Sequence, residues 1–316
     1  MAPTLADIRL AAERIQPYIH RTPVMTCASL DQLTGAQIFL KCENLQKVGA
    51  FKFRGACNAV FSLSENEASR GVATHSSGNH AQALALAARL RGIPAYIVMP
   101  KNAAQVKKEA VAGYGGQITY CEPTLESREA SLKKIVAETG ATFIHPYNDE
   151  RVIAGQGTAA LELLDDVSDL EVIMAPVGGG GLLSGTALAA HGLFPEMRVI
   201  AAEPEMADDA CRSLKAGKIM PSLNPKTIAD GLLTSLGTLT FPIIQEHVEQ
   251  IITVSEEAII EAMRFVWERA KMIIEPSAAV PVGALVEKKV DFSGLRIGII
   301  LSGGNVDLGR LPWQVL

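Results

Sequence analysis

Aromatic residues make up only 5% of the 316 positions, and no two cysteines are spaced CxxC. The five cysteines, Cys27, Cys42, Cys57, Cys121 and Cys211, are odd in number and scattered, which predicts free, reduced thiols rather than a disulfide framework. The histidines form no HExxH or clustered pattern, which argues against a zinc site. No apolar run reaches transmembrane length. The N-terminal stretch is amphipathic and broken by Arg9, Glu13 and Arg14, so it lacks the apolar core of a secretory signal. A net charge of −5 without an arginine-rich run or basic patch speaks against nucleic acid. Nothing repeats at solenoid period. These absences predict a cytoplasmic protein with neither a membrane nor a nucleic-acid partner.

What is present is alanine, glycine and a regular alternation. The chain is 48% hydrophobic and 20% charged, a composition that suits closely packed α/β layers, and its length suits two domains. Helical spacing of Leu5, Ile8, Ala12, Ile15 and Ile19 predicts an N-terminal helix that Pro17 kinks or ends. A strand is expected at 37–41 and a helix at 54–62, entered through Gly55. Strands at 72–75, 95–99, 117–121 and 142–145 then alternate with helices at 79–90, 103–114 and 127–138. After a helix at 154–164, a second series places strands at 172–175, 198–202, 251–254 and 296–301 between helices at 182–191, 208–216, 256–271 and 278–288. Such alternation predicts mostly parallel sheets covered by helices on both faces. The periodicity supports two units.

Several stretches carry chemistry. Lys52 stands between Phe51 and Phe53, with Gly49 and Gly55 outside them. Desolvation by two rings disfavours the ammonium, and a neutral amine suits Schiff-base chemistry, for which pyridoxal phosphate (PLP) is the best-known partner. The plain alternative is a lysine snorkelling past two core phenylalanines. Gly178, Gly179, Gly180 and Gly181, after a strand and before a helix, let backbone N–H groups converge on an anion such as a phosphate. A dinucleotide site is the rival reading. It would use Gly179, Gly181 and Gly185 with Glu203 as the ribose acid, but the spacing is GxGxxxG rather than GxGxxG. Ser76, Ser77, Asn79 and His80 lie at a strand-to-helix turn suited to a carboxylate, or to ordinary N-capping. Ser302-Gly303-Gly304-Asn305 follows the last strand, at the end where open α/β sheets bind ligands. Glu275-Pro276 opens a helix, as a first-turn proline commonly does. The oxygen-rich run from Glu203 to Asp209 suits Mg²⁺ or Ca²⁺, or simply complements a helix dipole.

Taken in order, the lysine stretch, the serine turn, the tetraglycine and the SGGN turn resemble the fold-type II PLP enzymes. The resemblance is greatest to the serine racemase and serine/threonine dehydratase family, including threo-3-hydroxyaspartate dehydratase. It runs from Thr22 to Asp307 and includes KCENLQK, VIAGQGT, TIADGL and WERAK. It implies a two-domain α/β fold of the tryptophan synthase β type, with a small domain at 59–146 inserted in a large PLP-binding domain made of 1–58 and 147–316. A homodimer is the family expectation.

The resemblance also implies roles. Lys52 would carry PLP and act as the base at the substrate Cα. The four glycines and Leu182 would hold the phosphate. Phe51 would pack on the ring, with Glu275 near it, Asn79 on its phenolic oxygen and Ser302 on its nitrogen. Ser76, Ser77, Asn79 and His80 would take the substrate carboxylate, with Arg128 nearby, and Ser77 would face Cα opposite Lys52. Glu203, the Ala207 carbonyl and Asp209 would bind Mg²⁺, Ca²⁺ or Mn²⁺. The activity implied is racemisation of serine together with β-elimination to pyruvate and ammonia. The alternative is dehydration of threonine or threo-3-hydroxyaspartate with little racemisation.

Some positions depart from the pattern. Ala50 stands where many relatives carry serine. Lys47, Gln82, Tyr114, Lys271 and Asn305 match an ATP effector site, but Cys27-Ala28 and Val48 replace its hydroxyl residues, which speaks against ATP. The chain stops soon after Asp307, so feedback by isoleucine through a C-terminal regulatory domain is not expected. A nicotinamide-dependent oxidoreductase and a non-catalytic binding protein are the competing classes.

Overall fold

The computed structural model describes residues 2–76, 78–103 and 105–314. Two sheets organise them. The larger contains β1 (Val24–Thr26), β2 (Gln37–Lys41), β7 (Val172–Pro176), β8 (Arg198–Pro204), β9 (Gln250–Val254) and β10 (Arg296–Ile300), in the order β1-β2-β10-β7-β8-β9. All its pairings are parallel except that of β1 with β2. The smaller contains β3 (Val72–His75), β4 (Ala95–Pro100), β5 (Gln117–Cys121) and β6 (Thr142–Phe143), all parallel, in the order β5-β4-β3-β6. The chain therefore leaves the large sheet after β2, builds the small one, and returns at β7.

Burial follows the strand period of two. Val172, Met174, Ile200, Ala202, Ile297 and Ile299 pack on one face of the large sheet. Their neighbours Ile173, Ala175, Val199, Ala201 and Ile300 pack on the other. With both faces covered, these strands read as apolar runs. The small sheet is built the same way, with Val72, Ile97 and Met99 opposite Ala73 and Val98.

Helix ends depart from the sequence reading in informative ways. The first helix, Leu5–Ile15, opens on a Thr4–Asp7 capping box and stops two residues before Pro17. The helix expected at 54–62 begins earlier, as Lys52–Phe61, so the lysine lies in its first turn. The helix expected to run to Lys271 ends as Glu256–Phe265 and passes into a π-turn, Val266–Ala270, closed by Lys271 at φ 58°. The strand expected at 142–145 is only Thr142–Phe143, which leaves His145 in the segment beyond it.

The helix carrying Lys52 is fixed by close contact and by buried charge. A Cβ on Gly155 would lie 2.6 Å from the Gly55 Cα, so the helices Lys52–Phe61 and Glu150–Asp166 touch backbone to backbone. Beside them, Arg54 is fully buried. Its guanidinium bonds Glu43 at 2.7 and 2.8 Å and Glu162 at 2.8 Å through two nitrogens, and Lys41 Nζ reaches Glu162 at 2.7 Å. Burial disfavours the Arg54 cation, but the carboxylates outweigh it and raise its pKa.

Candidate active site

The loops after β2, β3, β6, β7 and β10 converge on a cavity of about 370 Å³. All five strands present their C-terminal ends there, as expected for parallel sheets.

The floor is a pinned pair of loops. Ala50 and Gly303 form an isolated antiparallel bridge, Phe51 N–H donates to the Ser302 carbonyl at 2.9 Å, and Gly304 N–H donates to Gly49 O at 2.9 Å. Gly49 has φ 69°, and a Cβ there would lie 2.6 Å from Asn305 Oδ1. This double attachment fixes where the next helix starts.

Lys52 Nζ donates to the Pro146 carbonyl oxygen at 2.9 Å and sits 5.1 Å from the centre of the Phe51 ring. Burial lowers its pKa to about 8, with the Glu275 charge opposing. Only one of the two flanking rings faces the amine. Phe53 is fully buried in the core on the same side as Lys47, whose Nζ lies 5.8 Å from its ring. One residue of helix turns the side chain by about 100°, so neighbours on either side of Lys52 cannot both share its face.

Gly178, Gly179, Gly180 and Gly181 form one wall. A Cβ on Gly179 would lie 2.3 Å from the Tyr147 ring, one on Gly178 2.9 Å from Leu232 Cα, and Gly180 has φ 89°. Gly180 is also the N-cap of the helix Gly181–Leu193, so no side chain satisfies the first-turn N–H groups. Thr240 Oγ1 donates to Gly179 O at 2.8 Å and supports the loop from behind.

Opposite lies a partly buried amide–carboxylate cluster around the buried Glu275. Asn79 Nδ2 donates to Glu275 Oε1 at 2.9 Å and Oε2 at 3.2 Å, while its Oδ1 accepts from Asn305 Nδ2 at 2.9 Å. Asn305 Nδ2 also donates to Val48 O at 2.7 Å, and Asn305 N–H to Glu275 at 3.2 Å. Burial pushes the Glu275 carboxyl up to about 7, with the Asn79 bond opposing.

His80 is buried, and its Nε2 lies 3.3 Å from the Ile144 carbonyl. A carbonyl only accepts, so Nε2 carries the proton and Nδ1 holds a lone pair, buried and unpartnered among the described residues. Burial, with the Lys52 charge, holds this imidazole neutral. The ring therefore offers no donor to a carboxylate; the backbone N–H groups of the helix Asn79–Arg91 do, since its N-cap is Gly78. Ser76 lines the same turn, and Ser77 lies outside the described residues. Arg128, on the helix Leu125–Thr139, lines the cavity with its Nε buried and unpartnered among the described residues.

The sequence reading overlooked two features of this cavity. Lys107 pairs with Asp230 at its edge, joining the two halves. The segment from His145 to Tyr147 closes it, supplying both the carbonyl on Lys52 and the ring on Gly179. The motif that could have revealed this is His-Pro-Tyr-Asn directly after a strand, the same position as the other site loops.

Glu203 and Asp209 lie apart from the cavity, at the end of β8. Glu203 accepts N–H from Ala210 at 3.2 Å and Cys211 at 2.6 Å, and burial raises its carboxyl to about 8. Asp209 is raised to about 6 by burial, and its Oδ2 is buried without a partner among the described residues.

A glycine cradle that any Cβ would crowd, an aromatic face at Phe51 and a lysine of lowered pKa fit pyridoxal phosphate. Residues 15–303 match the model of the pyridoxal-phosphate dependent enzyme family, and the chain belongs to that family. Its fold is that of the fold-type II PLP enzymes. Among individual relatives, the chain is 55% identical over 312 residues to the β-hydroxyaspartate dehydratase of Paracoccus denitrificans (strain Pd 1222), covering 99% of each. It is 52% identical to the solved serine racemase of Dictyostelium discoideum, with a TM-score of 0.94 over 97% of this chain and 99% of that one. The solved serine racemase of maize superposes with a TM-score of 0.96 at 49% identity, over 100% of this chain and 97% of that one.

Proposed function

We propose that the protein is a PLP-dependent enzyme that racemises serine and also eliminates its β-hydroxyl to give pyruvate and ammonia. The observation that carries this reading is Lys52 Nζ, held at the Pro146 carbonyl inside the glycine-walled cavity. Lys52 would carry PLP until the substrate amine displaces it, and the cofactor, then joined to the substrate, would acidify the Cα–H bond and leave the Lys52 amine free. Lys52 takes the Cα proton on one face, a role its lowered pKa suits. First-turn N–H groups of the helix Asn79–Arg91, with Ser76, hold the substrate carboxylate. Ser77 returns a proton on the opposite face, an assignment that rests on its motif. The four glycines and Leu182 would hold the phosphate, and Phe51 would cover the ring; all six line the cavity. Asn79 and Glu275, joined by a hydrogen bond, would stand beside the ring as one unit. Ser302 lines the cavity, and its hydroxyl would meet the ring nitrogen without protonating it, which would favour proton exchange and elimination.

Glu203, the Ala207 carbonyl and Asp209 suit a divalent cation, Mg²⁺ first, because Asp209 Oδ2 is buried without a partner among the described residues. ATP is not part of the proposal, since the Asn305 amide is engaged by Val48 and Asn79. A cytoplasmic homodimer with a small domain at 59–146 completes it.

A second reading is dehydration of threonine or threo-3-hydroxyaspartate with little racemisation, and Arg128 favours the hydroxyaspartate form of it. Its unpartnered Nε in the cavity wall suits a second carboxylate. One reaction separates the readings: L-serine with PLP and Mg²⁺, assayed for D-serine by chiral chromatography and for pyruvate. Substantial D-serine supports racemisation; pyruvate alone supports the dehydratase; neither product removes serine from the function.

A further inference from the structure

His191 and His247 pair outside the cavity, 56 positions apart in the chain, and the function above gives them no role. Their Nδ1 atoms face each other at 3.1 Å, and the rings meet edge to face with centres 5.1 Å apart. His191 Nε2 lies 2.8 Å from the Met197 carbonyl. A carbonyl only accepts, so this Nε2 carries the proton and His191 Nδ1 presents a lone pair to its partner. His247 Nδ1–H therefore donates, which leaves His247 Nε2 bare, 3.9 Å from Glu246. Burial lowers the His247 pKa against the opposing Glu246 charge, so the ring is neutral near pH 7. The pair joins the far ends of two helices that both start at the glycine wall. His191 is in the last turn of Gly181–Leu193, whose N-cap is Gly180. His247 ends the helix Thr240–His247, whose first residue supports Gly179 O at 2.8 Å.

Two imidazoles aimed at one point suit a borderline divalent cation such as zinc or copper. With metal–nitrogen bonds of about 2.0–2.1 Å, two nitrogens on one tetrahedral ion stand roughly 3.3 Å apart. The pair would have to open by only about 0.2 Å to admit the ion. No proton is lost on binding: the one between the rings passes through water from Nδ1 to Nε2 of His247, where Glu246 stands. Each ring then has an acceptor for its outer N–H, the Met197 carbonyl for one and the Glu246 carboxylate for the other, as metal-bound histidines commonly do. Among the described residues no third histidine, cysteine or carboxylate completes a metal-binding group, so water takes the remaining positions. Mg²⁺, which prefers oxygen, is a poor guest for two nitrogens, and this separates the pair from Glu203 and Asp209.

We propose that His191 and His247 form a binding site for Zn²⁺ or Cu²⁺, which is held through both Nδ1 atoms and clamps the two helices behind the glycine wall. The site is independent of the substrate assigned above. The test uses untagged holoenzyme in excess Mg²⁺, so that oxygen sites are filled. Zn²⁺ affinity is measured by competition with a metallochromic chelator in wild type, His191→Gln and His247→Gln. One equivalent of Cu²⁺ is then added to wild type and its ligands are read by electron paramagnetic resonance, with the PLP absorbance recorded alongside. The expected result is a Zn²⁺ affinity at least tenfold weaker in each variant, since outer partners of a metal ligand alone are worth about that much. The Cu²⁺ spectrum should show two imidazole nitrogens while the PLP absorbance stays unchanged. Equal Zn²⁺ affinity in the three proteins, or none in wild type, overturns the site. Should a variant fail to fold, the wild-type spectrum decides: oxygen ligation, a single imidazole, or a copper ion that perturbs PLP and so lies in the cavity refutes it.

Discussion

Lys52 Nζ donates a hydrogen bond to the Pro146 carbonyl oxygen at 2.9 Å, tying the helix that follows β2 to the segment that leaves the small sheet. The two residues are 94 positions apart in the chain, and neither sheet alone could form the contact. The amine is half-buried in the cavity wall, and burial lowers its pKa to about 8.

That value makes cofactor loading pH-dependent. Only the neutral amine adds to an aldehyde, and an ordinary lysine is half neutral near pH 10.4. Protonation blocks addition, so the rate of PLP association with apoenzyme should rise with pH through a midpoint near 8. Stopped-flow absorbance from pH 6 to 10.5 measures it; a rise centred above pH 10 contradicts the buried amine.

Gly179 tests the cradle. A Cβ there would lie 2.3 Å from the Tyr147 ring, so Gly179→Ala must displace Tyr147 or the loop. PLP affinity should fall about tenfold or more while far-UV circular dichroism stays unchanged, because the backbone N–H groups no longer converge. Wild-type affinity in the variant would show that the cradle is not the phosphate site.

Arg54 tests the anchoring of the helix. Arg54→Leu leaves the fully buried Glu43 and the partly buried Glu162 with Lys41 as the remaining cation of that network. Breaking a buried pair by removing one partner costs about 3–5 kcal/mol. The urea midpoint should drop accordingly at unchanged slope. A shift below about 1 kcal/mol would mean the network relaxes without cost.

The metal reading makes a separate prediction. Mg²⁺ binding to the folded state alone raises the melting temperature with concentration. The rise should be present in wild type and at least halved in Asp209→Asn, which keeps the shape but removes the charge. Equal rises place the ion elsewhere.

The strand–helix alternation was legible because period two and period 3.6 leave distinct apolar patterns in the sequence. The three-residue strand Val24–Thr26 was not, being too short to show any period, and among the described residues it is the only antiparallel member of the sheets. The π-turn after Phe265 was also hidden, because its side chains continue the helical pattern while the hydrogen bonding changes. At the site, the sequence marks the glycine loops and the lysine, since each stands at a strand end with a local signature. It does not mark partnerships made across the fold. Asn79 and Glu275 are 196 residues apart, and their direct bond, together with Asn305, has no local trace. His145 was absorbed into a strand that stops at Phe143, which concealed its place in the cavity.

Every role proposed for the cavity depends on Lys52 carrying the cofactor. Borohydride reduction of the yellow holoenzyme, followed by proteolysis and peptide mass spectrometry, tests it directly. One phosphopyridoxyl adduct is expected, on Lys52, with a colourless Lys52→Ala variant whose activity is reduced by a factor on the order of 10³ or more. An adduct on another lysine, or a wild type that stays colourless with excess PLP, contradicts it.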